Sequence, residues 1–203
     1  MNDAVLGPIL VVAGYLSGSV PFGLVTAKLF LGVDVREVGS GNIGATNAAR
    51  AGGKKLGVLV LVLDSLKAVI PVFLTQRLMA GTERGDVWVM AVAIAAFAGH
   101  LFPVWLRFKG GKGVATGLGI FLVLAPVAAL AGLATWVGVY LATKVSSVGS
   151  LAGTLVCVVV GFTLLGSTPI SWAGATVGAL IWWRHRENIA RLVRGEEAGF
   201  TKK

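Results

Sequence analysis

Val114–Thr143 reads VATGLGIFLVLAPVAALAGLATWVGVYLAT, thirty positions without a charged residue. As a single helix this run would be about 45 Å long at 1.5 Å per residue. The hydrocarbon core of a bilayer is only about 30 Å thick, and tilt does not absorb the difference. Pro126 falls near the middle and interrupts the helical hydrogen bonding. The run therefore reads as two spans, 114–126 and 127–143.

Five further apolar stretches lie around it, at 4–31, 56–80, 87–107, 149–166 and 169–183. Together they predict an all-α integral membrane protein with seven transmembrane helices in a single domain, 1–203. Composition agrees. Of 203 residues 56 % are hydrophobic and 13 % charged, where a soluble domain carries roughly 25 % charged residues. Mean hydropathy is +0.84. A soluble fold of this size could not hide so much apolar surface. The first stretch lacks a basic start and a cleavage site, so it does not read as a signal peptide. One cysteine excludes a disulfide scaffold.

The net charge of +9 would suggest nucleic acid on a soluble chain. Here its placement argues for topology instead. With seven spans, 15 of the 18 Lys and Arg residues fall on one side, including Lys202 and Lys203. Positive residues mark the cytoplasmic side. The N-terminus is expected outside and the C-terminus in the cytoplasm. A six-span chain would separate the basic tail from the other basic loops. Trp88 and Trp172 fall at the outer boundaries, and Trp105, Trp182 and Trp183 at the inner ones, as an interfacial aromatic belt requires.

The outer connections, 81–86, Pro126 and 166–169, are plain. The inner ones, about 36–55, 107–113, 144–150 and 184–203, hold most of the Gly, Asn, Ser and basic residues. Four such loops on one face suggest a composite site. In Val38–Arg50, three glycines allow close backbone approach to an anion. Asn42, Thr46 and Arg50 add hydrogen bonds and a guanidinium fork. The same residues would also suit a turn capping a helix at Asn47. In Phe108–Gly113, a Gly-rich turn with Lys112 precedes a helix start, a combination that favours phosphate. It is not a Walker A loop, because Leu106 and Gly113 stand at required Gly and Ser/Thr positions. Lys144–Ser150 offers serines that could equally be helix caps. In the tail, His185 and Asn188 share a helix face, while Arg184, Glu187 and Arg191 could pair with one another or face anionic lipid.

Asp64 and Lys67 are charged residues inside a span, spaced for an ion pair. Pro71 could kink the same helix. His100 and Cys157 read as structural. No metal cluster is evident from two histidines and one cysteine, and no Gly-x-Ser-x-Gly elbow occurs. Neither histidine begins the His-x4-Asp pattern of soluble and monotopic glycerolipid acyltransferases. Catalysis must then rest on anion binding and positioning.

Gly39-Ser40-Gly41-Asn42-Ile43-Gly44-Ala45-Thr46-Asn47, Lys109–Thr116 and Arg184-His185-Arg186-Glu187-Asn188-Ile189 closely resemble three motifs of one family. It is the bacterial membrane acyl-phosphate:glycerol-3-phosphate acyltransferases, the PlsY family. Gly18–Gly23 and Leu63–Lys67 are also similar to family segments. The resemblance implies transfer of a fatty acyl group from acyl-phosphate to the 1-hydroxyl of glycerol 3-phosphate. Lysophosphatidic acid and inorganic phosphate would be the products of this step of phospholipid synthesis. It implies no cofactor, a bacterial inner-membrane location and a cytoplasm-facing site. Its partners would be the two substrates and membrane lipid, with no nucleic acid and a monomeric state. Ser40, Arg50, Lys112, His185 and Asn188 would be catalytic, orienting glycerol 3-phosphate. Gly41, Asn42, Thr46, Gly110, Gly111, Gly113, Ser147 and Ser150 would bind substrate, chiefly the acyl-phosphate head. Either a substrate phosphate or His185 would accept the proton; the favoured acceptor is the phosphate, with the His185 imidazole donating an orienting hydrogen bond. A membrane transporter or binding protein for a phosphorylated lipid precursor is the competing class. The absence of a clear internal repeat weighs against it.

Overall fold

The computed structural model describes residues 3–197 and 199, so Lys202 and Lys203 of the basic tail lie outside the described residues. Among the described residues the regular structure is helical. The α-helices are α1 (Asp3–Ser19), α2 (Phe22–Leu31), α3 (Ala45–Leu78), α4 (Gly85–Leu101), α5 (Val114–Leu124), α6 (Pro126–Thr143), α7 (Ser146–Leu165), α8 (Pro169–Arg184) and α9 (Arg186–Val193). Short 3₁₀ turns occur at Val35–Glu37 and Val104–Leu106.

The apolar run of 114–143 divides as its proline suggested. Ala125 leaves helical geometry at φ −149° and ψ 73°, and Pro126 opens α6. Two other stretches are subdivided further. The first breaks at Val20–Pro21 into α1 and α2. In α3 the glycines at 52 and 53 are non-helical, separating residues 45–51 from the long segment 54–78. No comparable break occurs at Pro71.

Among the described residues, five helical segments are long and apolar enough to cross a membrane: Asp3–Leu31, Ala45–Leu78, Gly85–Leu106, Pro126–Thr143 and Ser146–Leu165. With 11 and 16 residues, α5 and α8 fall short of that length.

The central helix is α4, which packs against α1, α3, α5 and α8. Its Val92, Ala93, Ala96, Phe97 and Leu101 are fully buried. By contrast α6 lies at the edge against α7 and α5, and exposes Val127, Leu130 and Leu141. An exposed surface of this kind suits lipid rather than water.

Between helices in lipid the driving force is packing, because the tails outside are as apolar as the side chains inside. Close approach is therefore decisive. At the α1–α4 crossing, a Cβ on Gly18 would stand 1.9 Å from the Ala96 carbonyl, and one on Gly99 would stand 2.3 Å from the Tyr15 carbonyl. Only hydrogen fits at either position.

The buried charges have a structural explanation. Lys67 Nζ lies 2.7 Å from Asp64 Oδ1 and donates to the Val20 carbonyl at 2.9 Å. That carbonyl stands at the α1–α2 break. Pro71 cannot donate a main-chain N–H to the Lys67 carbonyl four residues earlier. Ser17 Oγ donates to that carbonyl instead, at 2.7 Å. Pro71 thus frees one backbone acceptor and the α1–α2 break presents another, and each takes a side-chain donor from a neighbouring helix, as an apolar interior favours.

Removing one partner of a buried pair leaves the other charge uncompensated, at a cost of about 3–5 kcal/mol. Asp64→Leu should therefore lower the thermal unfolding midpoint in detergent strongly. The Asp64→Leu/Lys67→Met double variant should lose less than Asp64→Leu alone. A double variant as unstable as the sum of both singles would show that the pair is not what the two residues contribute.

Candidate active site

The first site segment is built around Asn47. Its side chain is buried, donates to the carbonyls of Val35 (2.8 Å) and Val38 (2.9 Å), and accepts the Ser40 N–H at 2.9 Å. All three amide bonds hold the preceding loop rather than capping the helix, whose N-cap is Gly44. Gly39 adopts φ +56°, and a Cβ there would meet Asn47 Oδ1 at 2.5 Å. The Arg50 stem passes the same point. Asn47 thus sets Ser40 beside the Arg50 stem and leaves the Ser40 side chain exposed. Its place in the motif was visible in the sequence, but its function as the loop's anchor was not.

The second segment is clamped on both edges. Arg107 and Phe108 take positive φ and reverse the chain after α4. The N–H groups of Gly110 and Gly111 then donate back to the carbonyls of Leu101 (3.1 Å) and His100 (3.2 Å). From the opposite edge, Arg184 Nε donates to the Gly111 carbonyl at 3.0 Å and Nη2 to the Gly110 carbonyl at 2.8 Å. Gly113, at φ +81°, starts α5. Among the described residues no acceptor faces the N–H groups of Lys112 and Gly113. Free N–H groups at a helix start, beside a lysine, form an anion site. Arg184 is the residue that sequence reasoning undervalued. Its signal is its position next to His185, but the Arg184, Glu187 and Arg191 face offers only mutual pairing or anionic lipid as partners from sequence. The structure pairs Arg184 with glycine carbonyls and Arg191 with Glu197.

Behind this turn, His100 is fully enclosed. Its Nδ1 lies 3.1 Å from Thr116 Oγ1, and its Nε2 has no hydrogen-bond partner among the described residues. A Cβ at Gly111 would stand 2.4 Å from that nitrogen and 3.2 Å from Asn42 Oδ1. Glycine at 111 therefore lets Asn42, on the first loop, approach the second.

The third segment is mostly helix: α7 begins at Ser146, so only 144–145 remain as a loop. The serines do not cap it, because Val145 is the N-cap. Ser146 Oγ meets Thr46 Oγ1 at 3.2 Å and joins the third segment to the first. Ser147 Oγ donates to Glu197 Oε1 at 2.7 Å. Ser150 turns back to the Ser146 carbonyl at 2.9 Å, within its own helix.

The fourth segment is the α8–α9 junction. Asn188 is buried, accepts from Lys112 Nζ through Oδ1 and donates to Glu197 Oε1 through Nδ2. Burial pulls the Lys112 ammonium below its ordinary range. His185 is also buried, with Nδ1 2.8 Å from the Ile181 carbonyl. A carbonyl only accepts, so Nδ1 carries the proton and Nε2 of the neutral ring is an acceptor. Burial, reinforced by the nearby Lys112, pulls the imidazole down to about 4. The donor role expected from sequence therefore gives way to an acceptor role. Among the described residues no three His, Cys, Asp or Glu side chains gather as a metal site.

Four segments far apart in the chain thus converge on one end of the helical bundle. Residues 8–195 match a family model described as Glycerol-3-phosphate acyltransferase. The chain is 66 % identical over 198 residues to the glycerol-3-phosphate acyltransferase of Anaeromyxobacter sp. (strain K), covering 97 % of this chain and 98 % of that relative. It is 49 % identical over 193 residues to that of Myxococcus xanthus (strain DK1622), covering 94 % and 98 %. Its fold is similar to two crystal structures of PlsY, an integral membrane glycerol 3-phosphate acyltransferase, each 42 % identical and covering 95 % of this chain and 94 % of the other. The glycerol 3-phosphate form gives a TM-score of 0.87 and the lysophosphatidic acid form 0.85. Sequence and fold agree over nearly the whole length, and the chain belongs to the glycerol-3-phosphate acyltransferase family.

Proposed function

We propose that this protein transfers a fatty acyl group from acyl-phosphate to the 1-hydroxyl of glycerol 3-phosphate, at a site facing the cytoplasm of a bacterial inner membrane. The carrying observation is the convergence of Lys112, the free N–H groups of Lys112 and Gly113, Asn188 and His185, with Asn42 of the first loop close to Gly111 and Thr46 against Ser146. Two phosphorylated substrates need two anion sites close together. The likeness to PlsY, an enzyme solved with glycerol 3-phosphate and lysophosphatidic acid, supports the acceptor and the product.

In this reading Ser40, Arg50, Lys112, His185 and Asn188 hold glycerol 3-phosphate. Gly41, Asn42, Thr46, Gly110, Gly111, Gly113, Ser147 and Ser150 line or shape the place of the acyl-phosphate head. Gly110 and Gly111 act through the path of the turn, since their N–H groups are already bound to backbone. Orientation and charge stabilisation supply the rate, because the donor is already activated. The glycerol hydroxyl oxygen attacks the acyl carbonyl carbon, the carbon–oxygen bond to phosphate breaks, and inorganic phosphate leaves. His185 Nε2 accepts the hydroxyl hydrogen bond and aims the oxygen. An imidazole held at about 4 is too weak a base to keep that proton at neutral pH. A substrate phosphate, with a second pKa near ~6, takes it.

Seven crossings with the N-terminus outside suit the same geometry. Ala125, Leu165 and Ile170 line one crevice, and the 79–87 turn shares another depression with Pro169. The expected outer connections thus lie with one another, apart from the four site segments. The shortness of α5 is compatible with a crossing because residues 110–113 before it are buried or half-buried in protein, where non-helical backbone is tolerated at membrane depth. Single cysteines at Glu83 and Arg194 should react with an impermeant thiol reagent from opposite sides of intact cells. Labelling of both from outside would overturn the topology.

Lys112→Ala should raise the KM for glycerol 3-phosphate at least tenfold, since charged hydrogen bonds contribute about 1.5–3 kcal/mol. Arg50→Lys should also weaken the enzyme, because an ammonium does not reproduce a planar fork. Wild-type kinetics in both folded variants would remove the anion site from the mechanism.

With the folded His185 held at about 4, the ring is neutral above that pH and gains a proton only as pH falls through it. The kcat profile of the wild type should therefore show no His185 limb near ~6.5, the ordinary imidazole value. His185→Gln should lose less than the ~10²–10⁴-fold typical of a removed general base and keep the wild-type limb. Loss of several orders of magnitude together with the limb would make His185 the base.

A further inference from the structure

One polar atom in the wall of the site has no partner. His100 Nε2 is enclosed by protein and makes no hydrogen bond among the described residues, while Nδ1 lies 3.1 Å from Thr116 Oγ1. The surroundings of the ring are fixed. The His100 carbonyl accepts the Gly111 N–H, and Thr116 is fully buried in the first turn of α5. Asp64 Oδ1 stands 3.9 Å from Nδ1 and is already paired with Lys67 Nζ. Such unmade hydrogen bonds are rare in protein interiors, because a buried polar atom without a partner destabilises the fold.

Packing alone does not explain the imidazole. An apolar side chain in its place would strand no nitrogen, and the Thr116 hydroxyl would then bond a carbonyl of its own helix. Gly111 supplies the reason instead. A Cβ at 111 would overlap His100 Nε2 and stand 3.2 Å from Asn42 Oδ1. A ring nitrogen carried by α4 and an amide oxygen carried by the first loop thus border one point, and only glycine leaves it open. An amide oxygen only accepts, so its matching partner is an imidazole protonated on Nε2. The Thr116 hydroxyl donates to Nδ1 in that tautomer. Asn42 itself is half-buried, so the whole of its amide is not spent on the protein interior.

We propose that His100 is a positioning residue for the acyl donor: its Nε2–H engages the Asn42 amide oxygen as the acyl-phosphate head binds, which aims the Asn42 Nδ2 group at that phosphate. The proposal rests on the functional reading above, in which Asn42 holds the acyl-phosphate. Donation runs from Thr116 Oγ1 to His100 Nδ1, from His100 Nε2 to Asn42 Oδ1, and from Asn42 Nδ2 to the phosphate. The middle link is not made in the structure, and binding that closes it recovers the cost of the unpaired nitrogen. His100 touches neither substrate and takes up no proton.

Two amide side chains separate the two ring nitrogens. His100→Gln keeps a donor near the Nε2 position, whereas His100→Asn keeps a polar group only near Nδ1, against Thr116. In full-length protein in detergent, His100→Asn should raise the KM for a long-chain acyl-phosphate about tenfold, equivalent to ~1.4 kcal/mol. The KM for glycerol 3-phosphate should change less than about twofold, and His100→Gln should restore most of the loss. In an Asn42→Ala background, His100→Asn should shift the acyl-phosphate KM by less than about twofold, because the link is already cut. Equal losses in both His100 variants, a rise of both KM values together, or additive losses in the double variant would identify a packing residue and overturn the proposal.

Nitrogen NMR of histidine-labelled protein gives a readout that needs neither a stable His100→Asn variant nor turnover. The chain has two histidines, so the signals are few. His100 should be protonated on Nε2, and that signal should shift on adding inorganic phosphate to the wild type but not to Asn42→Ala. A proton on Nδ1, or a shift that survives Asn42→Ala, would sink the proposal. If the wild type does not acylate glycerol 3-phosphate from acyl-phosphate, the functional reading fails, and the same spectra still decide whether His100 donates to Asn42.

Discussion

Arg184 and the end of α4 hold the Gly110–Gly111 turn between them, Arg184 by binding its carbonyls and α4 by accepting its N–H groups. This clamp decides the rest of the site. It points Lys112 across to Asn188 and leaves the N–H groups of Lys112 and Gly113, at the start of α5, without an acceptor among the described residues. It also ties α8 to α4 at the level where His185 ends α8. A turn made of glycine would otherwise be the loosest part of the chain. Here both of its hydrogen-bonding edges are occupied, so the flexible residue type supplies closeness while the clamp supplies rigidity.

The same requirement, that every polar backbone group find a partner away from water, explains the membrane interior. Pro71 leaves the Lys67 carbonyl without its helical donor, and the Val20–Pro21 break turns the Val20 carbonyl out of the helical ladder. Ser17 and Lys67 answer them, and Asp64 balances the lysine. The charged pair therefore belongs to the helix-to-helix framework. His100 lies between that framework and the glycine turn, with Asp64 3.9 Å from its Nδ1 and Gly111 against its Nε2. Framework and site thus share a wall.

The resulting site has little acid–base chemistry of its own. His185 is buried, neutral at physiological pH and protonated on the nitrogen that faces its own helix. Lys112 is desolvated, so its charge acts at short range with little screening from water. Such a site suits a reaction in which the donor arrives activated and the protein's contribution is to hold two anions in register.

Much of this was determined by the sequence alone. Runs of apolar residues are long-range in neither cause nor effect, so the helical segments and the break at Pro126 could be read from residues 114–143 directly. The motif residues Ser40, Thr46, Lys112, His185 and Asn188 were legible because glycine and a few polar types stand out against an apolar chain. Tertiary structure alone decided what each of them touches. Arg184 on glycine carbonyls, Ser146 against Thr46 and Glu197 on Ser147 are contacts between segments distant in sequence. No local periodicity encodes them. The tautomer of His185 is set within its own helix, by the Ile181 carbonyl one turn back, which accepts the His185 N–H as well as lying against Nδ1. Sequence specifies which groups are available, and only the packing of helices specifies which groups meet.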